Sequence, residues 1–138
     1  MAGTKPRTTD DDLATARALR EALFVLAGKP RGAKAAAARE TLNRVAAGTA
    51  AAPQLQTNGT MRLVGDAGAL LVTLAREAVQ LFGSDAAKLI RQCESRTCTL
   101  YFIDNSRRGD RRWCSMSGCG NKAKVREFRR RKRETQPE

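Results

Sequence analysis

The sequence predicts an α+β chain, mainly helical with a little β structure, built as two modules. Three observations predict it. Apolar residues recur at helical spacing over much of residues 11–91, an Asn-Gly pair lies between two short extended stretches, and all four cysteines fall within residues 93–119.

The elements follow in order. Residues 1–9 read as a flexible tail. Asp10 or Asp11 is placed to cap a helix over 11–27, where acidic residues suit the positive N-terminal end. Ala16, Leu19, Leu23 and Leu26 share one face of it, and Gly28 followed by Pro30 stops the run. A second helix over 34–47 carries Ala35, Ala38, Leu42 and Val45 on one face and ends at Gly48. Its alanine-rich start has high helix propensity but buries little area. After a loop over 48–53, the stretches 54–56 and 61–64 flank Thr57-Asn58-Gly59-Thr60. Asn-Gly suits a type I′ turn, so a short hairpin is expected.

A third helix over 67–83 is the most apolar. Leu71, Leu74, Ala75, Ala78 and Phe82 form a stripe that Leu70, Val72, Val79 and Leu81 widen, which predicts burial on several sides. Ser84 or Asp85 is placed to cap a short helix running to Arg91. These stripes read as core. Domains are therefore expected at 10–91 and 92–134, with a second tail at 135–138.

Charge narrows the partners. The 138 residues hold 26 Lys+Arg against 14 Asp+Glu, a formal +12. Residues 1–92 carry 13 basic and 8 acidic side chains, while the shorter 93–138 carries 13 and 6. Such an excess favours polyanions: DNA, RNA or an anionic membrane surface. No run of eighteen apolar residues is present, so a membrane span is not expected. The start MAGTKPRTTDDD lacks the apolar stretch of a signal peptide, which points to a cytoplasmic, reducing setting. Histidine is absent, and with it the usual general base.

The cysteines follow the pattern C-x4-C-x15-C-x4-C: Cys93, Cys98, Cys114 and Cys119. Two close pairs joined by a longer loop suit a tetrahedral site, each pair supplying two thiolates. Four thiolates leave no open position, so one bound Zn2+ would be structural. Such a centre is formally −2, and Arg96, Arg111, Arg112 and Lys122 lie close in sequence to offset it. Spacing leaves disulfides, an iron–sulfur cluster and free thiols as alternatives. Residues 99–104 read as a strand leaving the first pair, 105–110 as a turn and 111–114 as the returning strand. A helix from about 117 to 133 would place Cys119 in its first turn, whose N–H groups favour thiolate. Knuckle, β-hairpin and helix together make a treble-clef-like finger.

The stretch from Cys93 to Lys132 resembles the CGNR zinc finger, a bacterial module. The matching features are Cys93, Cys98, Phe102-Ile103-Asp104-Asn105-Ser106, Arg111-Arg112-Trp113-Cys114-Ser115-Met116 and Cys119-Gly120-Asn121. The resemblance implies that the four cysteines are the zinc ligands. Lys122 stands where the signature ends in Arg, which keeps the charge but not the bidentate fork. Residues 9–92 resemble the later part of the ABATE domain, which commonly precedes this finger in chains classed as stress-induced transcription regulators. That match rests on Ala18-Leu19-Arg20-Glu21-Ala22-Leu23, Leu42-Asn43, the hairpin and the apolar third helix.

On a helical wheel Lys122, Arg126, Arg129, Arg130 and Arg133 gather on one side of the last helix. Val125 and Phe128 lie away from them, as if facing protein. The finger's hairpin adds Arg107, Arg108, Arg111 and Arg112. These cations are the expected nucleic-acid contacts. Trp113 and Phe102 read as the finger's small core, Asp104 and Asp110 as turn-fixing or arginine-pairing groups, and Asn121 as a hydrogen-bonding support for the knuckle.

The reading is of a non-enzymatic, zinc-binding transcription regulator acting on double-stranded DNA at the nucleoid. The preference for DNA over RNA comes from the resemblance. The alternatives are an RNA- or ribosome-associated zinc protein and a module docking on an acidic partner. A homodimer and a small-molecule effector at the N-terminal domain are further partners the reading admits.

Overall fold

The computed structural model describes residues 6–134; residues 1–5 of the expected N-terminal tail, and the expected tail 135–138, lie outside the described residues. The chain packs as two units, Met1–Asp85 and Ala86–Glu138. The division falls ahead of the expected boundary at 91, because residues 90–92 form a strand that pairs inside the second unit.

The first unit is three helices and a hairpin. Helix α1 spans Asp10–Ala27, and its cap is Thr9 rather than Asp10 or Asp11. The Thr9 hydroxyl accepts from the Asp12 amide at 3.1 Å, while the Asp12 carboxylate accepts from the Thr9 amide at 2.8 Å. This reciprocal box satisfies two N-terminal donors, and Asp10, Asp11 and Asp12 line the first turn beside the positive helix end. Helix α2, Gly32–Ala46, buries Ala35, Ala38, Leu42 and Val45, as its periodicity requires.

Helix α3, Ala67–Phe82, departs from expectation. It buries only Ala75 and Ala78, while Leu74 is 47% exposed and Val79 38%. A three-helix unit covers one side of each helix, so a wide apolar face is left half open. The core is Leu19, Leu42, Val45, Ala75 and Ala78, flanked by Leu23, Leu26, Leu71 and Phe82. From α3, Arg76 donates to the Ala46 carbonyl at 2.9 Å and the Gly48 carbonyl at 2.8 Å, filling acceptors that the end of α2 leaves open.

Strand β1, Ala52–Leu55, pairs antiparallel with β2, Met61–Val64, in the register Leu55↔Met61. The turn is not type I′, which needs positive φ at two residues. Gly59 alone has positive φ, at 79°, and its N–H donates to the Gln56 carbonyl at 3.0 Å. That is the pattern of a tight turn closed by a left-handed glycine. The Asn58 side-chain oxygen accepts from the Thr60 amide and hydroxyl, which holds Asn58 out of the left-handed region.

The second unit opens differently from the helix expected up to Arg91. A 3-10 turn over Asp85–Leu89 gives way to strand β3, Ile90–Gln92, which pairs antiparallel with β4, Tyr101–Ile103. Buried Ile90 lies opposite Ile103, and a turn this short does not nucleate an α-helix. The β-hairpin of the finger therefore brackets the first cysteine pair. The expected return strand over 111–114 is irregular chain. A π-type turn over Met116–Gly120 leads into α4, Asn121–Glu134, which has no buried residue. No helix among the described residues is long and apolar enough to cross a membrane.

Candidate metal centre and the helix it carries

Each cysteine is delivered by a separate local device. Cys93 follows β3, and its amide donates to the Leu100 carbonyl at 2.9 Å. Cys98 closes a turn in which its amide donates to the Ser95 carbonyl at 2.9 Å. Cys114 ends the irregular loop, and Cys119 lies in the π-type turn before α4. Ser115 caps that turn, its hydroxyl accepting from the Gly118 amide at 3.0 Å. Gly120 is buried, and a Cβ there would lie 2.8 Å from the Met116 sulfur and 3.3 Å from the Trp113 ring. Trp113 is half-buried against this corner, in keeping with its expected place in the finger's core.

The four sulfurs lie within 4.8 Å of one another. Cys98 Sγ is 3.8 Å from Cys114 Sγ, which is 3.7 Å from Cys119 Sγ. A tetrahedron with Zn–S bonds near 2.3 Å has edges of about 3.8 Å, so these separations are those of one tetrahedral ion. A disulfide would need about 2.05 Å, and all four thiols are free. The residues thus fit a structural zinc, held by Cys93, Cys98, Cys114 and Cys119.

Burial pushes the Cys114 thiol up to about 12, and its hydrogen bonds to Cys119 and Cys98 add to this. Cys119 is raised as well, chiefly by burial. At Cys93 burial is outweighed by backbone N–H donors from Cys114 and Ser95, and the thiol falls to about 7. The Cys114 amide lies 3.5 Å from the Cys93 sulfur. Cys93 thus ionises before Cys114 and Cys119, from which metal uptake must displace protons.

Asp104 holds the loop between the ligand pairs. It is 2% exposed and accepts from the Ser106 amide at 3.1 Å, the Ser106 hydroxyl, and the Arg111 amide at 3.0 Å. Arg91 pairs with it at 3.2 Å. The hydrogen bond from Ser106 is the main cause that holds this carboxyl below its ordinary value, against the effect of burial. Because Asp104 takes the Arg111 amide, that donor is withdrawn from a ladder, which is why 111–114 forms no strand. Asp104 thus fixes a turn and pairs with an arginine, as its sequence context suggests.

The structure sorts the expected contact residues. Arg111 turns inward: it donates to the Trp113 carbonyl at 2.8 Å and to the Cys114 carbonyl, with its guanidinium 4.9 Å from the Phe102 ring. Arg112 pairs with Glu94 at 2.6 Å over Trp113. Arg130 is held by Glu127 and Glu134, each at 2.7 Å. Arg107 and Arg108 stand exposed at the tip of a turn closed by Gly109, whose φ is 63°. Along α4, Lys122, Arg126, Arg129 and Arg133 line one open trough of about 890 Å³. No carboxylate partner meets these four cations or the two at the tip among the described residues. Val125 lines the same trough, so it does not face protein as the wheel suggested, while Phe128 borders a depression with Trp113, Gly120 and Ala123 and is still 68% exposed. With no second layer over α4, most of both side chains stays uncovered. Asn121 donates to the Ser117 carbonyl at a long 3.4 Å, a weak support for the knuckle.

Sequence reasoning missed Arg91, Glu94 and Ser115. Only Ser115 had a local signal, a serine three residues ahead of a glycine at a helix start.

Two family models match the chain. The CGNR zinc finger covers residues 90–132, and ABATE, described as "Putative stress-induced transcription regulator", covers residues 1–85. A search of the curated proteins finds no match. With most of its length under the ABATE match and its metal centre inside the CGNR match, the chain belongs to the ABATE family and ends in a CGNR zinc finger.

Proposed function

We propose that this protein is a DNA-binding transcription regulator in which zinc holds α4 against duplex DNA. The observation that carries the reading is the exposed α4, where Lys122, Arg126, Arg129 and Arg133 have no carboxylate partner among the described residues, along a trough whose acid, Glu134, pairs with Arg130. Arg107 and Arg108 add charge at the exposed loop tip. Phosphate oxygens are the partners that such cations lack. An α-helix about 10–12 Å across suits the major groove of B-DNA, about 12 Å wide, whereas the major groove of A-form RNA is too narrow and deep to admit it. The ABATE match supports the regulatory role. The metal needs no open position here, so the reading is non-enzymatic, and its setting is the cytoplasmic nucleoid.

The test is binding of zinc-loaded protein to random duplex DNA, with structured RNA as competitor, over a range of salt. Affinity should fall steeply with salt, with a logarithmic slope of roughly −5 for the cations named. Lys122→Ala should weaken binding to all sequences and lower that slope by about 1. Salt-sensitive binding to RNA alone would favour an RNA-associated role, and no binding to either would sink the proposal.

A further inference from the structure

We infer that α4 reads base edges in the major groove of duplex DNA through Asn121, Val125 and Phe128. The inference rests on the DNA reading above and names the side chains that give it sequence preference.

The helix has two unlike sides. Gly120 is buried, and Ala123 and Glu127 are the only half-buried residues of α4; their spacing places them on one face, toward Trp113. Away from that face, at i, i+4 and i+7, stand Asn121, Val125 and Phe128, with Val125 opposite Ala123 and Glu127 and Phe128 nearer their edge. Val125 is 48% exposed and Phe128 68%, although Phe128 also borders a depression lined by Trp113, Gly120 and Ala123. Cations stand on either side of this ridge, Lys122, Arg126 and Arg129 along one and Lys124 on the other, while Lys132 continues the line of the ridge beyond Phe128. Of the carboxylates, Glu127 lies on the inner side, tied to Arg130 and Arg131, and Glu134 borders the trough but is paired with Arg130.

That layout selects its occupant. An apolar protein surface laid on Val125 and Phe128 would strand the positive charge beside them. The major groove offers phosphate walls to those cations and a floor of base edges between the walls. Both acids, which phosphates would repel, are neutralised by arginine pairs.

The chemistry of the ridge is specific. An asparagine amide pairs bidentately with adenine N6 and N7, and apolar groups meet the thymine methyl. At about 1.5 Å per residue, the ridge from Asn121 to Phe128 spans about 10 Å, or roughly three base-pair steps. The expected site is a short run of A·T pairs within about three steps, with adenine facing Asn121.

The test is site selection from random duplex DNA with full-length, zinc-loaded protein, followed by affinities for the selected and a scrambled duplex. A selected A·T run supports the inference. Asn121→Ala should cut the preference for the selected site by about 5- to 150-fold, with Val125→Ala and Phe128→Ala acting in the same direction. Zinc content, binding to the scrambled duplex and the salt slope should stay as in the wild type. Lys122→Ala, in contrast, should weaken both duplexes equally. If all three substitutions leave the preference intact, or weaken both duplexes alike, base reading by this ridge is wrong while the DNA reading stands. A change of oligomeric state with Phe128→Ala, with preference unchanged, would assign the ridge to protein docking and overturn the inference. If the wild type shows no salt-sensitive binding to duplex DNA, the DNA reading itself fails.

Discussion

The two units are held together by different chemistry. In the first, Leu19 at 1% exposure and Ala75 at 0% sit in a cluster with Leu42, Val45 and Ala78, so burial of apolar surface between three helices supplies the stability. The interior of the second is Ile90, Cys93, Ser95, Asp104 and Gly120. One isoleucine and one sulfur cannot replace a core, and a segment of this size usually needs a metal or cross-links to fold. The cationic helix α4 buries nothing and depends on that metal-held corner at its start. The contrast teaches that the binding face of the chain is the part whose order rests on an ion.

The strongest way to break the comparison is to remove the metal. Chelation, or Cys114→Ser, should unfold the finger, given an apparent zinc contribution of about 10–16 kcal/mol in comparable peptides. Trp113 is the only tryptophan, so its fluorescence reports on the finger alone, while circular dichroism should retain the helices of the first unit. Metal-free protein with an unchanged Trp113 signal and bound-like α4 would show the contrast to be mistaken. The converse substitution is Leu19→Ala. It should cost the first unit about 2–5 kcal/mol on denaturation, with zinc content unaltered.

Asp104→Asn sharpens the comparison inside the finger. Loss of the Arg91 pair and weaker acceptance from Ser106 and Arg111 should lower zinc affinity by about tenfold in chelator competition. The Asp104 carboxyl is held below its ordinary 3.8 in the folded state, so its stabilisation is complete above that value and fades as pH falls below it. The difference between wild type and variant should therefore be flat near neutrality and shrink only under acid conditions, since protonation of the thiolates is common to both. The smallest effect is expected at Thr9. Thr9→Ala should cost about 1 kcal/mol through loss of the capping box, read in the thermal unfolding of the first unit.

Much of this was legible in the chain. The helical faces of α1 and α2, the existence of the first hairpin and the four ligands follow from periodicity and spacing that act locally. The capping box was legible too, since Thr9 and Asp12 stand three apart, but adjacent aspartates compete for the same reading. The exposure of Leu74, Val79, Val125 and Phe128 was not. A helix carries its apolar stripe in sequence, whereas the number of neighbours that cover it depends on how many elements the fold supplies.

By itself the sequence determined the metal ligands, the two-module order, the excess of charge in the finger and the core faces of the first two helices. Tertiary structure decided which arginines remain available. Arg107 and Arg108 look no different in sequence from Arg111 and Arg112, yet the first two are exposed at a turn and the others are spent on Trp113, Cys114 and Glu94. The reason is physical. A guanidinium has five donors and takes the nearest acceptors, and which acceptors are near is set by the chain path around Asp104, Cys114 and the metal site.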